Sequence, residues 1–93
     1  MAKNRFEQVD ELQTDAITLS LWQEAEQRFA TVTCPAGLTS GRLANDMTSD
    51  KLEPKEAFRS AVKLANEIKA AIVVRDPDGL WDKEWGDLFR PVD

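Results

Sequence analysis

Ala16-Ile17-Thr18-Leu19-Ser20-Leu21-Trp22, followed across Gln23–Arg28 by Phe29-Ala30-Thr31-Val32-Thr33-Cys34, decides the fold. Two periods compete in this stretch. With period two, Ile17, Leu19 and Leu21 alternate with Ala16, Thr18 and Ser20, while Ala30, Val32 and Cys34 alternate with Phe29, Thr31 and Thr33. That is the pattern of two half-buried strands, and β-branched residues suit a pleated surface. With the helical period, Trp22, Ala25, Phe29 and Val32 fall on one face, and Gln23–Arg28 are good helix formers. Ile17-Thr18 at one end and Thr31-Val32-Thr33 at the other favour the hairpin, with Gln23–Arg28 as a rather long loop.

Downstream, Pro35 stops the second strand, and residues 35–53 read as a connection in which a short strand or turn hides near Arg42–Met47. Pro54 suits the first turn of a helix, where its missing N–H costs nothing. Phe58, Ala61, Val62, Ala65 and Ile68 then recur at helical spacing, so a helix is predicted over residues 54–70 with that stripe against a core. Ala70-Ala71-Ile72-Val73-Val74 reads as a strand buried on both faces. Asp76-Pro77-Asp78-Gly79 places Asp, Pro and Gly where a type I turn takes them. Leu80 and Trp81 could return as a short partner strand. Asp82 could cap a last helical turn that puts Trp85 and Phe89 on one face, with Trp81 in the core.

Upstream, Phe6, Val9 and Leu12 are spaced by three in an otherwise polar segment, a short helical stretch or a loose N-terminal arm over residues 1–14. The expected fold is a single α+β domain over residues 15–93. It is a small antiparallel sheet in the order β-β-α-β, one main helix packed on one face, and a short C-terminal helical turn.

Composition narrows the function. A chain of 93 residues has room for one domain. Its formal charge is −5, which disfavours non-specific contact with nucleic acid or anionic membrane. The first 50 residues hold four Lys/Arg against eight Asp/Glu, and the remainder eight against nine. Its one cysteine, Cys34, cannot close an internal disulfide, so a reducing, cytoplasmic setting is expected. The charged start and the acids Glu7, Asp10 and Glu11 do not read as a secretory signal, and the longest apolar run, Ala70–Val74, cannot span a bilayer. Histidine, the commonest general base and metal ligand, is absent.

No motif carries chemistry past its bland reading. Cys34 has no histidine to activate it and fits the apolar face of a strand. Asp76, Asp78 and Asp82 surround Gly79, but a calcium loop aligned on that glycine would begin at Val74 and end at Trp85. Gly37-Leu38-Thr39-Ser40-Gly41-Arg42 lacks the Lys-Ser/Thr ending of a phosphate loop. No metal, cofactor or catalytic residue is expected. Two surface features remain. Trp81, Trp85 and Phe89 concentrate aromatic area, a lid on the core or an interface anchor. Lys55, Arg59 and Lys63 form one column on the predicted helix, a solvated face or an anion contact.

Residues Ala57–Ile68, Ile72-Val73-Val74 and Asp76–Trp81 together resemble small uncharacterised bacterial α+β domains, in which an alanine-rich helix runs into a strand and an acidic glycine turn. The likeness covers residues 54–85. It implies a bacterial chain and brings no catalytic residues with it. The functional expectation is a non-enzymatic protein-interaction or regulatory module that binds a protein partner or a second copy of itself. The alternative is an anion or nucleic-acid binder using Lys55, Arg59 and Lys63.

Overall fold

The computed structural model describes residues 5–39 and 45–89, so Ser40, Gly41 and Arg42 of the glycine-flanked loop lie outside the described residues. The stretch that decides the fold is a hairpin. Strand β2 (Ile17–Glu24) pairs antiparallel with β3 (Gln27–Cys34), in a register that sets Leu19 against Val32 and Leu21 against Ala30. The loop is far shorter than expected: only Ala25 and Glu26 are unpaired, and Ala25 takes a positive φ of 53° to turn the chain. Trp22 and Phe29 are cross-strand partners equally far from that turn, which is why their spacing mimicked a helix face.

The helix α1 (Pro54–Ile68) begins at a proline as predicted and stops two residues early, at Lys69 in the left-handed conformation with φ 55°. Its buried stripe is Ala57, Ala61 and Ala65, four residues apart. Phe58, Val62, Leu64 and Ile68 are half-buried on the flanks, so the expected stripe narrows to its alanines, and Phe58, Val62 and Ile68 are not fully buried. Small side chains let the helix sit close to the sheet, against Leu19, Leu21, Ala30, Val32 and Val74 in one cluster.

The sheet is larger than expected and is mixed. β1 (Arg5–Gln8), β4 (Met47–Thr48), β5 (Ile72–Arg75) and β6 (Asp87–Phe89) join the hairpin in the order β4-β3-β2-β5-β1-β6. Only β2–β3 and β3–β4 are antiparallel. Because α1 carries the chain back across the sheet, β5 runs parallel to β2, and β1 runs parallel to both β5 and β6. The antiparallel β-β-α-β expectation is therefore corrected. Residues 5–8, read as part of an arm or helical stretch, are a strand inside the sheet. The added strands have two to four residues each, too few to display a period. Val73 and Val74 are both buried on opposite faces, as the apolar run implied.

The C-terminal turn is shorter than expected. Lys83–Trp85 form one 3-10 turn, capped by the Asp82 carboxylate accepting from the Glu84 amide at 2.9 Å. Gly86, at φ 131°, then redirects the chain into β6, so Trp85 and Phe89 do not share a helical face. Leu80 and Trp81 form no strand. Among the described residues, no helix is long and apolar enough to cross a membrane.

Two outcomes follow from this packing. Ala61 is 0% exposed, so Ala61→Asp should cost several kcal/mol, comparable with the stability of a small domain. Val62→Asp should cost clearly less, and urea melting of the two variants checks the order. Cys34 is fully buried with its thiol 3.7 Å from the Pro35 carbonyl, and burial, with a smaller push from Asp46, raises its pKa. A thiol reagent should therefore label native protein far more slowly than urea-unfolded protein. Equal rates would place the thiol at the surface.

Candidate functional site

The site is organised by the turn after β5. Gly79, at φ 70°, completes the Asp76–Gly79 turn with an amide 3.5 Å from the Asp76 carbonyl. Asp76 is only 5% exposed, yet its carboxylate is satisfied: one oxygen accepts from the Leu80 amide at 2.8 Å and the other from the Trp81 amide at 2.9 Å. Its own carbonyl accepts from Gln8 Nε2 on β1 at 3.1 Å. Asp78 Oδ2 accepts from the Gln23 amide at 3.1 Å, tying the same turn to the hairpin. Four residues of sequence thus fasten β5 to β1, to β2 and to the C-terminal segment.

Fixed in this way, Trp81 donates its indole N–H to the Gly86 carbonyl at 3.0 Å and meets three other rings. Phe6 and Trp85 lie edge-on to it at 5.2 Å, and Phe58 at 5.8 Å. Trp85 stacks flat on Phe58, at 4.7 Å and 7° between planes. Both tryptophans are half-buried and pack against the core, so Trp81 lies at its margin and not inside it. Phe89 belongs elsewhere. It is the β6 partner of Glu7, whereas Leu88 pairs with Phe6, so alternation puts Phe89 on the face away from this cluster.

Trp85 also lines a groove of about 770 Å³, together with Phe29 at the hairpin end, Leu52 and Leu80. Its rim carries both charges: Glu26, Glu53, Glu56 and Asp82 against Arg28, Lys51 and Lys55. Lys51 is held on the wall by Glu24, at 3.0 and 3.1 Å, with its ammonium 5.2 Å from the centre of the Phe29 ring. Trp22 Nε1 donates to the same carboxylate at 3.1 Å, and that bond, followed by the one from Lys51, lowers the Glu24 pKa. Half of each partner in the Lys51–Glu24 pair faces solvent, so the pair orients Lys51 more than it stabilises the fold.

No protein-family model, curated protein or solved structure matches the chain.

The site residues expected from sequence divide accordingly. Trp85 and Lys55 meet in the groove. Arg59 and Lys63 are exposed further along α1 and are not among its lining residues. Sequence reasoning did not foresee Phe29, Leu52 or the bracket made by Asp76. Only the last had a signal: an aspartate opening a turn often binds amides beyond it. Among the described residues, no group of three or more His, Cys, Asp or Glu is placed to hold a metal ion.

Asp76→Ala removes the acceptor for two partly buried amides. We expect a loss of about 2–4 kcal/mol and a red-shifted tryptophan emission as Trp81 and Trp85 loosen, measured by urea melting and fluorescence. An unchanged spectrum would mean that the aromatic cluster stands without its bracket.

Proposed function

We propose that the chain is a non-enzymatic interaction module of the reducing cytosol that docks a polypeptide segment in the groove beside Trp85. One observation carries this reading: a large aromatic, backed by Phe58, borders a concave apolar floor whose rim carries charges of both signs. Protein-binding surfaces share that composition, with an aromatic anchor at the centre and charged groups at the edge. The rim favours a segment with an apolar side chain flanked by charges of both signs, since acids and bases line it together. A nucleic-acid backbone is the poorer occupant, because four carboxylates stand around the groove. The buried Cys34 and the lack of a second cysteine support the compartment.

Selection of a displayed random-peptide library on the immobilised protein tests the reading. Enriched peptides should carry an apolar residue next to charged ones and lose binding to Trp85→Ala. Because Trp85 also packs on Phe58, the exposed variant Glu56→Lys provides a second arm that leaves the fold intact, and it should change which peptides are enriched. No enrichment, or peptides indifferent to both variants, would overturn the reading. If the protein's own sequence is recovered, the partner is a second copy.

A further inference from the structure

The helix covers one face of the sheet, and the register lays out the other in rows. Arg75, Ser20 and Thr31 are neighbours across β5, β2 and β3. One row along are Phe89, Glu7, Val73, Thr18, Thr33 and Thr48, and one row the other way are Trp22 and Phe29. Rows lie about 6.6 Å apart and strands about 4.8 Å apart. The face is not flat. A hollow of about 440 Å³ opens on it, with Ser20, Thr31, Thr33 and Thr48 as polar lining, Arg75 as the one charged residue, and Leu12, Trp22 and Pro77 as apolar walls.

Two features set this hollow apart from an ordinary solvated sheet face. Arg75 is half-buried and, among the described residues, forms no ion pair, on a chain of net charge −5. Arg75 also lines a smaller hollow together with Asp76 and Asp10, and there the Asp76 carboxylate is taken by the Leu80 and Trp81 amides. The polar groups are also unevenly used. Thr33 and Thr48 bond each other at 3.2 Å, and Thr18 is buried beneath the Gln13 amide. The hydroxyls of Ser20 and Thr31 make no hydrogen bond among the described residues. The row beside Trp22 therefore presents one guanidinium fork and two free hydroxyls, with no acid lining the hollow.

We propose that this hollow binds a small hydroxylated carboxylate of the sugar-acid class. A guanidinium takes a carboxylate through two parallel N–H bonds. Ser20 and Thr31 each offer a donor and acceptors that match ligand hydroxyls. Trp22, Leu12 and Pro77 supply the apolar walls that small-molecule sites combine with a few fixed polar groups. The site stands apart from the docking groove and does not depend on it.

The experiment is a titration of isotope-labelled protein with D-glucuronate, followed on the three tryptophan indole N–H resonances, with D-glucose and acetate as parallel arms. Glucuronate should shift the Trp22 indole saturably and leave Trp81 and Trp85 in place. Glucose lacks the charge and acetate the hydroxyls, so each should bind at least about tenfold more weakly. Arg75→Ala, checked for native melting, should abolish the shift, and Ser20→Ala should weaken it, which keeps the test intact if the arginine variant unfolds. Four results would overturn the proposal: no saturable shift, acetate equal to glucuronate, glucose equal to glucuronate, or full binding retained without Arg75 or Ser20.

Discussion

Both carboxylate oxygens of Asp76 are committed to amides, and the arrangement of the binding groove depends on that bracket. A buried ionised carboxylate is costly unless its lone pairs are used. Here Leu80 and Trp81 use them, so the chain cannot continue as a strand after β5 and must fold over the end of the sheet. Trp81 is then held at Phe6 and Phe58, and Trp85 is delivered to the mouth of the groove. The same turn reaches β1 through Gln8 and β2 through Gln23. A three-residue strand such as β6 gains little from its own ladder. Its position beside β1 follows from a turn that already fixes where residues 80–86 lie.

How much of this was legible in the sequence depends on how many residues each element had to declare itself. The eight-residue strands of the hairpin and the fifteen-residue helix show their periods. β4, with two residues, and β6, with three, do not. β1 was obscured differently: Phe6 points to the helix side, but the spacing of Phe6, Val9 and Leu12 imitates a helical stretch. The helix stripe was legible, but its centre was not, because hydrophobicity favours Phe58 and Val62 whereas proximity to the sheet favours the alanines. The groove was the least legible feature, since Phe29, Leu52, Leu80 and Trp85 come from three separate segments that only the tertiary fold brings together.

The two faces of the sheet carry different chemistry because strand residues alternate. Leu19, Leu21, Val32 and Val74 take one side, and the intervening positions are Thr18, Ser20, Thr31, Thr33, Val73 and Arg75, mostly polar. Threonine and serine keep β propensity without demanding a second apolar layer. The single helix packs on the central strands β3, β2 and β5, and Trp81 extends the cover to Phe6 on β1. The consequence is a back face on which Arg75 forms no ion pair among the described residues, so the proposed ligand would be recognised there by charge in a protein that is acidic overall.

The hollow and the groove come closest at the hairpin end, where Trp22 lines one, Phe29 lines the other, and their rings are 6.2 Å apart. Contact alone does not couple two sites; coupling requires an element with two arrangements that both ligands bias. The hairpin offers no second arrangement. Its turn has two residues, so its ladder runs to the tip, and a slip of one residue would move Leu19 and Leu21 from the core to the surface. Losing burial of two leucines costs about 3–6 kcal/mol, more than the 1–3 kcal/mol by which ligands usually shift such equilibria. Occupancy of the hollow should therefore leave the groove as it is, and two recognition events can share one small sheet without interfering.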